Sequence, residues 1–214
     1  MNKFLDFIYP PVCGVCGKLD KNSICRKCEI RLNRQAVFGI DDYSRKMRFF
    51  SEHIYIFKYD GEIRKMLLKY KFNNKSYIYK TFVNFLKKNE KMCVQIKKYD
   101  IITPVPISKK RFKQRGYNQS KLIAKKMAKV MDLNYTDDVL IKNKDNIAQS
   151  LLEKQDRESN VNGVYILRNS KKIKQKNILL IDDIYTTGST VNECSKILKK
   201  ADVNKIGIFT LAKD

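Results

Sequence analysis

The 214-residue chain has no apolar run long enough to cross a bilayer, since a spanning helix needs about 20 consecutive apolar residues. The first apolar cluster, Phe4, Leu5, Phe7 and Ile8, is interrupted by Asp6 and stopped by Pro10 and Pro11. It is too short for a secretory signal and is expected to be a hydrophobic helix turn, which predicts a cytoplasmic chain without a transmembrane segment. Histidine is nearly absent: His53 stands alone, without partner spacing, and is expected to be a packing residue rather than a ligand. Acidic residues are scarce, 22 against 45 Lys and Arg, which gives a net charge of +23. Such an excess suggests an anionic partner. Lysine far outnumbers arginine, however, so a chain-wide bias producing a solvated basic surface explains the charge equally well.

The most informative stretch is 178–190. Ile178, Leu179, Leu180 and Ile181 show no polar alternation, as in a strand buried on both faces of a parallel sheet. The strand stops on Asp182 and Asp183, and Thr186, Thr187, Gly188, Ser189 and Thr190 follow. Val191, Cys194, Ile197 and Leu198 then share a helical face, and Thr190 with Glu193 has capping-box spacing, so the helix is expected to start at Thr190. A helix N-terminus behind a glycine turn offers free amides and partial positive charge to a phosphate, and the hydroxyls add donors. Asp182 and Asp183, about one sugar length earlier, could accept from vicinal ribose hydroxyls or approach a hard cation. Any strand-turn-helix unit can carry Asp, Thr and Gly for local bonding, but the complete string in this order favours a ligand loop. It resembles the phosphoribosyl pyrophosphate (PRPP) motif of type I phosphoribosyltransferases. That resemblance implies that the acidic pair contacts the ribose hydroxyls and that residues 186–190 hold the 5-phosphate.

Near the N-terminus, Cys13 and Cys16 are followed by Cys25 and Cys28. Two Cys-x-x-Cys pairs supply four thiolates for a tetrahedral structural zinc site with no open position. The alternatives are two disulfides or unrelated thiols, which a reducing compartment disfavours. Cys93 and Cys194 fall outside the pattern and are expected to be ordinary thiols. The sequence divides into a zinc-binding module at 1–35, a linker at 36–52 and the main domain at 53–214.

Within the main domain, 53–59 reads as a strand, and Ile63, Met66, Leu67 and Tyr70 then fall at helical spacing. Lys69 to Phe72 could be a basic-aromatic nucleic-acid patch, but the flank of an amphipathic helix is the preferred reading. Residues 100–106 form a second buried strand, which must turn at Pro104 and Pro106. A basic loop follows with Ser108, Lys109, Lys110, Arg111 and Arg115, located where open α/β sheets bind ligands. These residues could neutralise a departing pyrophosphate, although a solvated loop is the plain alternative. A helix is expected over 118–132, a short strand at 137–142, a polar helix from Gln149 through Arg157 and Asn160, a strand at 164–167 and the last strand at 205–211. Alternating strands and helices imply an α/β fold with a parallel sheet.

Taken together, the chain resembles the ComF family. The resemblance is carried by the apolar start to Cys13, the paired cysteines, Tyr59-Asp60-Gly61, the string Arg115, Gly116, Tyr117, Asn118, Gln119, then Gln149, Leu152, Arg157, Asn160 and the loop from Asp182 to Thr190. It implies a four-cysteine zinc module fused to a type I phosphoribosyltransferase-like domain that binds PRPP with magnesium. It further implies a role in handling single-stranded DNA during natural transformation, beside a helicase-like partner and at the inner face of a membrane DNA-uptake complex. The alternative is an active phosphoribosyltransferase acting on a small acceptor, for which no general base can be identified.

Overall fold

Unbroken aliphatic strands need apolar cover on both faces, and the computed structural model of the chain, which describes residues 11–73, 75–143 and 164–214, supplies it. Helix α1 (Arg26–Gln35) leads into β1 (Ala36–Asp42) and then β2 (Glu52–Lys58). Helices α2 (Gly61–Phe72), α3 (Ile78–Lys87) and α4 (Glu90–Ile96) follow. Strand β3 (Ile101–Pro104), helix α5 (Lys109–Arg115) and helix α6 (Gln119–Met131) come next. The remaining elements are β4 (Asn134–Tyr135), β5 (Leu140–Lys142), β6 (Tyr165–Leu167), β7 (Asn177–Ile181), β8 (Ile184–Tyr185), α7 (Ser189–Lys199) and β9 (Lys205–Lys213).

The main sheet runs β1-β2-β9-β7-β3-β4, with β8 beside β9. Its pairings are parallel except that of β1 with β2. Strand β7 therefore sits between β9 and β3, and the period-two alternation of a strand divides its side chains between the faces. Leu179 and Ile181 join a core with Phe57, Phe82 and Met127, while Ile178 and Leu180 join another with Val191, Cys194 and Leu198. The strand expected at 178–181 is thus present, and so is the helical face expected after it. Strands β5 and β6 pair antiparallel outside the main sheet.

Two expectations change here. Residues 36–52, read as a linker, supply the edge strand β1, in which Phe38 has a positive φ of 49° and the register shifts between Ala36 and Gly39. The stretch 108–120, read as a basic loop, contains α5, whose Ser108 side chain accepts from the Arg111 amide and whose C-cap Gly116 is left-handed. The polar helix expected from Gln149 lies outside the described residues, as does the apolar turn at Phe4 to Ile8. No helix of the described residues is long and apolar enough to cross a membrane.

The cysteine segment is built into the same body. Cys13, Ile24, Cys28 and Leu32 belong to the core that includes Phe82 and Phe85. Thr81 Oγ1 of α3 donates to the Ser23 carbonyl at 2.6 Å, and Asn84 donates to the Ser23 hydroxyl at 2.9 Å. Lys88 also pairs with Glu29.

Candidate functional site

The chain leaves β7 at Ile181, and β9 fixes the two carboxylates that follow. The Asp182 amide donates to the Phe209 carbonyl at 2.9 Å, and the Asp183 carbonyl accepts from Leu211 at 3.0 Å. Asp182 and Asp183 line an open cleft of about 210 Å³ together with all of residues 186–190. The phosphate-loop residues and the acidic pair anticipated from sequence therefore meet in one place.

The turn's geometry differs from the expected capping box. Helix α7 starts at Ser189 with Gly188 as a left-handed N-cap, φ +75°, and the Thr187 hydroxyl accepts from the Ser189 amide at 3.4 Å. A Cβ on Gly188 would lie 2.5 Å from Tyr185 Cζ and 2.8 Å from Cε2. Glycine is required twice here, by the backbone region and by the ring beneath it. Tyr185 is itself buried and stacked on His53, with centroids 4.3 Å apart. Thr187 and Ser189 share a hydroxyl hydrogen bond of 2.8 Å, and Arg48 donates to the Thr187 carbonyl at 3.4 Å.

The electrostatics concentrate on the acids. Desolvation, reinforced by the charge of Asp183, pushes the Asp182 carboxyl up to about 6. Its Oδ1 accepts from the Ser120 hydroxyl and from the Asp183 amide, each at 2.9 Å. Asp183 is buried and holds Lys71 Nζ at 3.1 Å. The pair already attracts a cation, which is the behaviour a divalent-metal site requires.

Of the basic group anticipated after β3, Arg111 and Arg115 line the cleft. Ser108 is buried as the helix cap, and Lys109 and Lys110 are exposed, away from the cleft wall. The string from Gly116 to Gln119 divides in the same way. Gly116 ends α5, Tyr117 packs on Tyr70 with ring centroids 5.8 Å apart, and Asn118 caps α6 while donating to the Val105 carbonyl at 3.0 Å. Gln119 faces the cleft, accepts from Arg115 at 3.2 Å and leaves its buried Nε2 without a partner. An unpaired buried donor costs about 1–3 kcal/mol, so a ligand acceptor there is favoured.

Sequence reasoning missed Lys71, Lys142 and Tyr165, all of which line the cleft. Lys71 and Asp183 are far apart in sequence and meet only through the fold. For Lys71 the signal was present in the basic-aromatic stretch 69–72. His53 behaves as expected: it is buried, accepts from or donates to Thr210 Oγ1 at 2.8 Å, and burial pushes it down to about 3.

The four N-terminal sulfurs form a second centre. The Sγ atoms of Cys13, Cys16, Cys25 and Cys28 lie within 4.8 Å of one another, and all four thiols are free. Zinc–sulfur bonds of about 2.3 Å place sulfurs about 3.8 Å apart in a tetrahedron, and Cys16 and Cys25 are 3.9 Å apart. Burial and the three neighbouring sulfurs drive the Cys28 thiol upward, whereas at Cys13 burial is outweighed by backbone amides that bring it down to about 7. Arg31 donates to Cys28 Sγ at 3.7 Å, and four sulfurs this close are a donor set that a divalent cation satisfies, so the cluster could hold a metal such as zinc.

Residues 118–214 match the model of the phosphoribosyl transferase domain. Competence protein F of Haemophilus influenzae is 26% identical over 211 residues, covering 90% of this chain and 91% of the relative. Competence protein ComFC of Streptococcus pneumoniae is 27% identical over 201 residues, covering 94% and 80%. DNA utilization protein YhgH of Escherichia coli K12 is 24% identical over 114 residues, 53% of this chain and 49% of that protein. The chain has a type I phosphoribosyltransferase-like α/β fold, and the matches support its place in the ComF family.

Proposed function

We propose, from this place in the ComF family, that the chain binds PRPP and takes part in handling single-stranded DNA during natural transformation. The observation that carries the reading is the meeting of Asp182, Asp183 and the 186–190 turn in one open cleft that also receives Arg111 and Arg115. The turn amides and the hydroxyls of Thr186, Thr187, Ser189 and Thr190 would hold the 5-phosphate, as helix N-termini hold anions. The carboxylates would accept from the ribose hydroxyls, and the arginines, with Gln119 Nε2, would face the pyrophosphate. Asp182 and Asp183 would hold magnesium, which when bound neutralises charge between the sugar and the pyrophosphate. Zinc in the four-cysteine cluster would serve folding, since four protein ligands leave no open position. The protein would act in the cytoplasm beside a helicase-like partner, at the inner face of a membrane DNA-uptake complex.

Calorimetric titration with PRPP and magnesium tests the cleft. Binding is expected in the parent chain and lost in the double variant Asp182→Asn, Asp183→Asn. Absence of binding, or equal binding by both, refutes it. Single-strand binding measured at several salt concentrations tests the DNA role.

The second reading, an active transferase on an unidentified small acceptor, draws on the cationic side of the cleft. Departure of pyrophosphate leaves positive character at the ribose C1, and Arg111 and Arg115 would stabilise the leaving charge. Pyrophosphate release across a panel of bases and amines decides between turnover and binding alone.

A further inference from the structure

Beside the cleft, the end of α2 and the start of the turn after α5 enclose a groove of about 330 Å³. Its wall contains Phe72, 65% exposed, whose ring has the Arg115 guanidinium over it at 5.1 Å. Lys71, Lys113 and Gln114 also line it, and no acidic side chain does. Lys69 and Lys110 are exposed on the same two helices, and Phe112 of α5 is 51% exposed. An aromatic ring kept in water forgoes roughly 2 kcal/mol of burial. Beyond the Arg115 guanidinium over one face of Phe72, no ring or cation contact among the described residues engages either ring.

An acidic peptide would be satisfied by the lysines alone. An aromatic face already stacked on one planar cation offers a surface for a second flat group, while neighbouring lysines meet a polyanionic backbone; this pairing is how single strands are bound without sequence preference. We propose that this groove is a docking site for single-stranded DNA, with a base stacked on Phe72 and backbone phosphates on Lys113 and Arg115. The inference rests on the DNA-handling reading and gives it a location. It also sets the strand directly against the PRPP cleft, because Lys71 and Arg115 line both.

The test is fluorescence anisotropy of a fluorescein-labelled 15-mer of thymidylate titrated with the full chain. Since stacking on an aromatic is worth about 1–3 kcal/mol per base, Phe72→Ala should weaken binding about tenfold, and Phe72→Trp should restore it. Lys113→Gln should lower the slope of log affinity against log salt by about one phosphate contact. PRPP titration should be unchanged in Phe72→Ala, showing that the cleft and the fold are intact. If the parent chain binds no strand, the DNA-handling reading falls and the groove falls with it. If the parent binds and Phe72→Ala binds equally well, the groove alone is overturned. Displacement of the strand by poly-glutamate as effectively as by unlabelled thymidylate of equal charge would likewise overturn it.

Discussion

Substitution of Gly188 by alanine asks the sharpest question of the phosphate turn, because Gly17 provides a matched control. Both residues have nearly the same left-handed φ, +75° and +78°, but a Cβ on Gly17 would meet nothing within 4 Å, whereas one on Gly188 would meet the Tyr185 ring. The backbone penalty alone is about 1–2 kcal/mol for a residue with a Cβ in this region. Overpacking against a buried ring adds about 1–3 kcal/mol, and Tyr185 has little room to retreat since it is stacked on His53 and edge-on to Phe50. Gly17→Ala should therefore lose about 1–2 kcal/mol and Gly188→Ala about 2–5 kcal/mol. At about 2–4 °C per kcal/mol for a chain of this size, the melting temperature should fall by about 2–8 °C in the first and about 4–20 °C in the second. Thermal melts of both variants with saturating zinc, followed by PRPP titration of each, separate the terms. Only Gly188→Ala should also lose PRPP binding, because the shifted turn carries the amides. Equal melting temperatures for the two variants would refute the idea that Tyr185 moulds the turn.

Other outcomes follow from the same geometry. PRPP affinity should fall as the pH drops through about 6, where Asp182 takes up a proton, and comparison with Asp182→Asn removes the ligand's own titration. In folding the sign is opposite: a raised carboxyl makes the ionised form unfavourable, so Asp182→Asn should stabilise the chain at neutral pH, with the gain fading toward the ordinary carboxylate range in urea unfolding. Lys71→Ala leaves the buried Asp183 without its 3.1 Å partner, and urea unfolding at neutral pH should show a loss of about 1–3 kcal/mol. Cys28→Ser should reduce the zinc content of purified protein and lower the melting temperature in one transition. The linkage of the two sites through Lys71 and Arg115 predicts that saturating PRPP weakens strand binding about fivefold or more in anisotropy, with strand weakening PRPP by the same factor.

What could be read from sequence was what local chemistry determines. Ile178 to Ile181 declared a covered strand because an unbroken aliphatic run tolerates no wet face, and Asn118 declared a helix start because its side chain caps the amide of Lys121. Helix α5 was hidden because six of its seven residues are polar or charged and none is buried, which leaves no apolar period to detect. Strand β1 was hidden by its half-exposed, irregular pattern and its bulge. The start of α7 was misjudged by one residue because a left-handed glycine took the place that hydroxyl capping would have filled. For Lys71 the basic-aromatic stretch signalled the charge but not its partner, since the ion pair with Asp183 exists only once the fold brings the end of α2 to the residues after β7.

The sharing of one interior by the sulfur cluster and the helices behind the sheet has a practical side. A chelator acting at the amino-terminal end would not strip an appendage and leave a working remainder; Cys13, Cys28 and Leu32 would come away from Phe82 and Phe85, and the loosening would reach the layer that supports β7. With a metal held there, its supply would set how much folded protein a cell holds, although the four sulfurs stand apart from the residues that line the cleft.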